Sequence, residues 1–390
     1  MNNKLSVLVL SSWYPTRLHP TLGNFNEKFA ESIAFYNDVT AIHVIADANL
    51  KSETEYEHKI INGVDTRIVY FKKKKKEFIT DKIRKAFRYF TLYKEAFNEA
   101  VKEKGTFDLV HLNILFPVGI IALHLKKKYK LPYFISENWT GYLPTNFVKQ
   151  NFIVRWYSRK IALNALALLP VSLDLKKAMS NQGFNNNYYI VPNVTDTTFF
   201  KPPEKHIEKE KKIILHVSSL LDVHKNITGL LNVIYKLYQT RQDFELHIIG
   251  DGDAKPYKWY AEKLEILNTA VFFFDAMTPQ QIADRMRESN FFLMFSNYEN
   301  LPCVIVEALA AGLPVVSSTA GGIPEHISED KGVLVEPKDE NALFIACNYM
   351  LNNFQKYDKQ KLHQYAQDRF SYKSVGNRLT EIYRICLNKS

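Results

Sequence analysis

Short apolar runs alternate with longer stretches of amphipathic spacing along most of this chain. Runs at 5–10, 39–46, 64–71, 109–112, 133–135, 166–171 and 189–191 read as buried strands. Apolar residues at helical spacing over 25–35, 82–102 and 118–128 fall between them. The cycle restarts at 213–217 and continues at 245–249, 271–274, 291–295, 315–317 and 333–335. Strands that alternate with helices imply parallel sheets covered on both faces. Two such cycles predict an α/β chain of two doubly wound domains facing a central cleft, over 1–195 and 196–370. Pro192, Pro202 and Pro203 interrupt the junction, and a charged segment follows. Val375, Leu379, Ile382, Tyr383 and Cys386 share one helical face, and the final segment, 371–390, is expected to return to the first domain.

Length agrees with this division, since 390 residues is about twice a common domain size. Hydrophobic residues make up 46% and charged residues 24%, as in globular proteins. No run approaches the roughly 18 apolar residues of a membrane helix. The first apolar run is followed by Ser11 and Ser12 and makes a poor secretion signal. Cys303, Cys347 and Cys386 have no ligand spacing, which suggests a reducing compartment and no metal site. The expected location is cytoplasmic, with peripheral attachment at the inner membrane face left open.

A formal charge of +10 favours anionic partners. Five lysines starting at Lys72 fill 72–76. Beyond them Ile83, Phe87, Phe90, Phe97 and Val101 recur at helical spacing, flanked by Lys82, Lys85 and Arg88. Helix 82–101 could lie on an anionic membrane surface. Equally, its apolar stripe could pack on the first sheet while the lysines are solvated. A non-catalytic anion binder, for membrane or nucleic acid, would explain the charge but none of the acidic residues below, and no nucleic-acid partner is expected.

Those acidic residues stand in "SNYENLPCVIVEALAAGLPVVSST", which starts at Ser296. Glu299 and Glu307 are separated by seven residues, of which only Asn300 is polar. Pro302 suits the first turn of a helix that runs through Ala311 and ends at Gly312. Glu299 then lies in the loop after strand 291–295. Asn300 and Leu301 sit at the helix start, where amides and dipole favour a phosphate. Glu307 lies inside the helix among Val304, Ile305, Val306, Ala308 and Leu309. A buried carboxylate needs donors. The two adjacent hydroxyls of a ribose would serve, and so would a lysine or a neighbouring loop.

Continued through "AGGIPE", preceded by "IVPNVTDTTFF" at Ile190 and "IIGDGD" at Ile248, and followed by "GVLVEPKD", this segment resembles the signature of the GT-B retaining glycosyltransferases of glycosyl transferases group 1, also called family 4. The resemblance implies the GT-B fold, two Rossmann-like domains about a cleft. It implies transfer of a sugar from a nucleoside-diphosphate sugar to a hydroxyl acceptor, with retention of configuration, in polysaccharide or glycolipid synthesis. The acceptor would be a glycan or lipid-linked, and neither cofactor nor metal is implied. Glu307 would contact ribose, while Glu299 and the amides of Asn300 and Leu301 would contact sugar and phosphates. Lys225, in "SSLLDVHKNITGLL", matches the family's phosphate-binding lysine. A cation fixed beside the departing diphosphate lowers the barrier. Ser219 stands where the family usually has an arginine, and Asn193-Val194 replaces a frequent Asn-Gly.

In the N-terminal half, Gly23 precedes a helix and matches a family glycine at which backbone approaches phosphate. His111, in "FDLVHLNILFPVG", matches a histidine near the donor sugar and joins Glu299 and Lys225 as a candidate catalytic residue. Glu137, Asn138 and Trp139, in "ISENWTGYL", are expected to face the cleft on the acceptor side. Asn138 replaces a common histidine, and an amide cannot shuttle a proton at neutral pH. A nucleotide-sugar epimerase on the same fold is the enzymatic alternative.

Overall fold

The computed structural model describes residues 4–73, 78–204 and 210–389. The lysines at 74–76 lie outside the described residues, as does part of the charged connector, 205–209.

The first lobe is built on seven strands: β1 (Ser6–Ser11), β2 (Asp38–Asp47), β3 (Thr54–Ile61), β4 (Val64–Lys72), β5 (Leu109–Asn113), β6 (Tyr133–Glu137) and β7 (Ala167–Pro170). Their order is β3-β4-β2-β1-β5-β6-β7. All neighbours are parallel except β3 and β4. The second lobe has β8 (Lys212–Ser218), β9 (Phe244–Gly250), β10 (Val271–Phe274), β11 (Phe291–Met294), β12 (Val315–Ser318) and β13 (Gly332–Val335). They form an all-parallel sheet in the order β10-β9-β8-β11-β12-β13. Helices cover both sheets, and strands such as β1 and β11 are buried on both faces, which is why they read as continuous apolar runs. This is the pair of Rossmann-like lobes that the resemblance implies.

Two elements differ from expectation. β3 is an exposed edge strand of mostly polar residues, so it carries no apolar run. Asn62 and Gly63 join it to β4, both with positive φ, as a tight hairpin turn requires. Conversely, 189–191 is no strand; only Tyr188 makes a single bridge, to Leu168.

The chain crosses between lobes twice, and the crossings touch. Thr195 donates its N–H to the Phe370 carbonyl at 2.8 Å. The last helix, Tyr372–Leu387, then lies on the first lobe against helix Asn24–Ala34. Asn37 Nδ2 donates to Thr380 Oγ1 at 2.8 Å between them. Segments following β1, β6 and β7 meet segments following β11 and β12, so the carboxyl ends of the two sheets face one another.

Helix Ile79–Lys104 divides the two readings of its apolar stripe. Leu92, Tyr93, Ala96, Phe97 and Ala100 are buried, with the Tyr93 hydroxyl 3.2 Å from the Ser11 carbonyl. Ile83 and Phe87, in its first turns, are exposed.

Candidate active site

β11 delivers the chain into the loop that carries Glu299, Asn300 and Leu301, and helix Cys303–Ala310 follows. Pro302 is the N-cap residue, in extended conformation, and no side chain caps the helix start. Its first amides are therefore left for another acceptor. Gly312, with φ of 75°, stands just past the end.

The shape of that loop is set from β12. Gly321 has φ of 60°, and a Cβ there would lie 1.8 Å from the Glu299 carbonyl oxygen. The Gly322 N–H donates to the Asn300 carbonyl at 2.7 Å. The paired glycines of "AGGIPE" thus form a backbone shelf under Glu299 and Asn300. Glu325, the last residue of that motif, reaches across to the first lobe. Its carboxylate accepts the N–H groups of Leu173 (2.9 Å) and Asp174 (3.2 Å), at the start of helix Leu173–Asn181. A carboxylate suits that end of a helix.

Two lysine–glutamate pairs flank the start of the Cys303 helix. Glu299 is hydrogen-bonded to the Lys225 ammonium, from the short helix Asp222–Lys225 after β8. Glu307 is bonded at 3.0 Å to Lys28, which comes from helix Asn24–Ala34 of the first lobe. Both carboxylates are nearly buried. Burial works against the charge on Lys28, but Glu307 beside it, together with Cys303 and Glu31, more than offsets this and holds the ammonium above its ordinary range. The Cys303 thiol sits within the field of all four groups, and burial pushes it up to about 11. It is therefore a neutral neighbour and no nucleophile at physiological pH.

Glu307 thus lies at the gap between lobes, as the sequence suggested, but a protein cation already satisfies it. Its burial alone does not call for a sugar. Lys28 was invisible from the sequence because it is 279 positions from Glu307. It brings a cation from the other lobe to Glu307.

Three asparagines stitch the lobes together beside these pairs. Asn300 Nδ2 donates to the Asn138 carbonyl at 2.6 Å. Asn138 Nδ2 donates to Asn193 Oδ1 at 2.7 Å, and Asn193 Nδ2 donates to the Leu301 carbonyl at 2.6 Å. The Oδ1 atoms of Asn138 and Asn300 are buried without a hydrogen-bond partner among the described residues.

Two candidates are sealed inside the first lobe. His111 lies in mid-strand in β5 and is fully buried. Its Nε2 is 3.2 Å from Asn113 Oδ1, and its Nδ1 is 2.6 Å from the Tyr383 hydroxyl on the last helix. Burial holds its pKa down to about 4. It is a neutral core residue that ties the last helix to the sheet. Glu137 is also fully buried. Its carboxylate accepts the amides of Leu115, Asn138 and Trp139, each at 2.9 Å, while burial pushes its pKa up to about 7. It shapes the loop that presents Asn138. Trp139 packs edge-on against Tyr142, with centroids 4.8 Å apart. Gly23 is buried with φ of 78°, and a Cβ would fall 2.4 Å from the Trp13 carbonyl carbon. It starts the helix that carries Lys28.

Among the described residues no group of three or more His, Cys, Asp or Glu could hold a metal ion. A cavity of about 650 Å³ at the crossings between lobes is lined by Glu31, Asp196 and Tyr372 among others, and by none of the candidate site residues.

Comparison with known proteins follows the same lines. Residues 198–369 match the family model of glycosyl transferases group 1. A Bacillus subtilis protein named as a glycosyltransferase, EpsF, is 29% identical over 248 residues, 60% of this chain and 63% of that one. The match therefore spans less than two thirds of that relative. Sucrose-phosphate synthase from Thermosynechococcus elongatus superposes with a TM-score of 0.76 at 18% identity, over 99% of this chain and 100% of the other. Anabaena HepE, solved in complex with UDP-glucose, superposes with a TM-score of 0.73 at 17% identity, over 98% and 100%.

Proposed function

Because residues 198–369 match the family model of glycosyl transferases group 1, we propose that the chain belongs to that family and moves a sugar from a nucleoside-diphosphate sugar to a hydroxyl acceptor with retention of configuration. One observation carries this reading. Two lysine–glutamate pairs and an uncapped helix start converge where the carboxyl ends of two parallel sheets meet. Open α/β sheets bind ligands at that edge.

In this reading the diphosphate lies against the first amides of the Cys303 helix and the Lys225 ammonium. The ribose hydroxyls take over Glu307, which releases Lys28. The freed ammonium then stands beside the phosphates, in the role for which Ser219 has no side chain. The unpartnered Oδ1 atoms of Asn138 and Asn300 accept hydroxyl donors from the sugar or acceptor. The acceptor oxygen forms its bond to the anomeric carbon as the bond to the diphosphate oxygen breaks, on the same face. The acceptor's proton passes to the departing phosphate. Developing negative charge meets the two ammonium groups, and that difference between ground and transition state is what accelerates the step. No protein nucleophile is needed, and His111 takes no part.

HepE was solved with UDP-glucose, so uridine donors come first in a test. The acceptor is a growing polysaccharide or a glycolipid. A lipid-linked acceptor accords with the basic end of β4 and the exposed apolar first turns of helix Ile79–Lys104. No helix among the described residues is long and apolar enough to cross a membrane.

A panel of nucleotide sugars, scored by thermal shift and by release of nucleoside diphosphate, tests the proposal. One nucleotide class should stabilise the protein, and its diphosphate should be released when acceptor is present. NMR of the product should show the donor's anomeric configuration. If no nucleotide or nucleotide sugar stabilises the protein, the reading falls. Release of an altered sugar without acceptor would replace it with epimerase chemistry.

A further inference from the structure

Helix Phe152–Asn164 starts with its apolar residues turned outwards. Phe152 is 80% exposed, Ile153 65% and Trp156 48%, and Phe147 on the preceding loop is 55% exposed. This is a formed helix end, because Asn151 caps it by accepting the Val154 N–H at 2.8 Å. Scattered exposed apolar side chains are ordinary, but four large ones within ten positions form a patch that marks an interaction surface.

The charges carried by this segment have one sign. From Asn138 to Leu173 the chain has no acidic residue, and its charged residues are Lys149, Arg155, Arg159 and Lys160. Lys149 and Arg155 are exposed within the patch. Lys160 lies over the Trp156 ring at 4.7 Å. Tyr157, packed edge-on against Trp156, is also exposed.

Topology places a second surface of the same kind nearby. The helices after β4, β5 and β6 connect strands that succeed one another in one direction across the sheet. Right-handed crossovers put all three on one face. Each starts at the carboxyl end of its strand, the edge at which the lobes meet. The first turns of helix Ile79–Lys104 expose Phe87 (72%) and Ile83 (53%), and Phe78 just before it is 77% exposed. Lys82, Arg84 and Arg88 are exposed among them. Helix Gly119–Tyr129 lies between the two patches, in contact with both helices.

We propose that residues 147–160 form a docking surface for an anionic lipid bilayer, which with 78–88 seats the mouth of the cleft on the membrane. Aromatic rings beside arginine and lysine suit the headgroup boundary. Over 147–160 the charge is positive without acidic residues, and over 78–88 the exposed Lys82, Arg84 and Arg88 outnumber Asp81, which matches anionic lipid. A two-fold contact with a second copy fits worse, since it would set Lys149 and Arg155 against their own kind. The purpose of the surface rests on the reading of a lipid-linked acceptor, but its evidence does not.

Flotation with vesicles separates the two. Wild-type protein should float with vesicles of phosphatidylcholine and phosphatidylglycerol, not with phosphatidylcholine alone, and added salt should release it. Combined Phe152→Ser, Ile153→Ser and Trp156→Ser should weaken the partition by about tenfold or more. The same variant should keep its melting temperature and its turnover of donor with a soluble acceptor. Failure of the wild type to bind anionic vesicles would overturn the proposal. So would a triple variant that binds as well as wild type, including the case in which only Ile83 and Phe87 matter. A wild-type dimer that the variant dissolves, without vesicle binding, would assign the patch to a second copy instead. None of these outcomes bears on the donor panel, so either proposal can fail alone.

Discussion

Both lobes bury titratable side chains in or after their strands, yet the two sets have different partners. In the first lobe, Glu137 spends its oxygens on three backbone amides and His111 has both ring nitrogens engaged inside the core. In the second lobe, Glu299 and Glu307 hold mobile ammonium groups on long side chains. A carboxylate clamped by main-chain amides cannot change partner without unfolding its loop. One that holds a lysine can exchange it for a ligand hydroxyl. Residue type and burial are alike in the two lobes. The identity of the partner separates scaffold from site.

The largest test of that contrast is on Glu307 and Lys28. Glu307→Ala should lower transfer about 100- to 1,000-fold, while vesicle association persists. It also strands Lys28, so its melting temperature should be recorded in parallel. Lys28→Met should lower kcat by about tenfold yet leave donor affinity unchanged or improved, because Glu307 no longer has to release a lysine. If Lys28→Met weakens donor binding as much as Glu307→Ala does, the exchange of partners is wrong.

A smaller and opposite effect is expected at His111. His111→Phe leaves Tyr383 and Asn113 without a buried partner and should cost about 1–3 kcal/mol of stability. Transfer by the folded fraction should stay within about threefold of wild type. A collapse of kcat without loss of stability would restore His111 to the site.

The mildest effect is on pH. Burial lowers His43, His111, His216 and His326 to about 4 from an ordinary 6.5. The unfolded chain binds protons at these groups first, so the stability they contribute is full above 6.5 and lost as pH falls towards 4. Burial raises Glu27 and Glu137 to about 7 from 4.5. Their contribution is full below 4.5 and lost as pH rises to 7. Four groups oppose two between pH 4.5 and 6.5, so the melting temperature should rise across that window. His111→Phe should flatten the rise, and a steeper rise in the variant would contradict the buried assignment.

Much of the fold was legible because it depends on local periodicity. Runs buried on both faces announce parallel strands, and only the polar edge strand β3 lacked that mark. Glu299, Asn300, Leu301 and Glu307 were also legible, since one loop and the helix after it hold them within nine positions. The glycines of "AGGIPE" were recognisable as a motif, although their use as a shelf under Glu299 needed coordinates.

What a local pattern determines, then, is which residues follow which strand and which face of a helix is apolar. It does not determine partners. Lys28 for Glu307, Asn193 for Leu301, the helix start at Leu173 for Glu325 and Tyr383 for His111 all join segments more than a hundred positions apart. Periodicity constrains the few bonds between neighbouring residues, whereas a partner depends on how whole layers pack. Only packing decided that His111 and Glu137 turn inward while Glu307 meets a lysine from the opposite lobe.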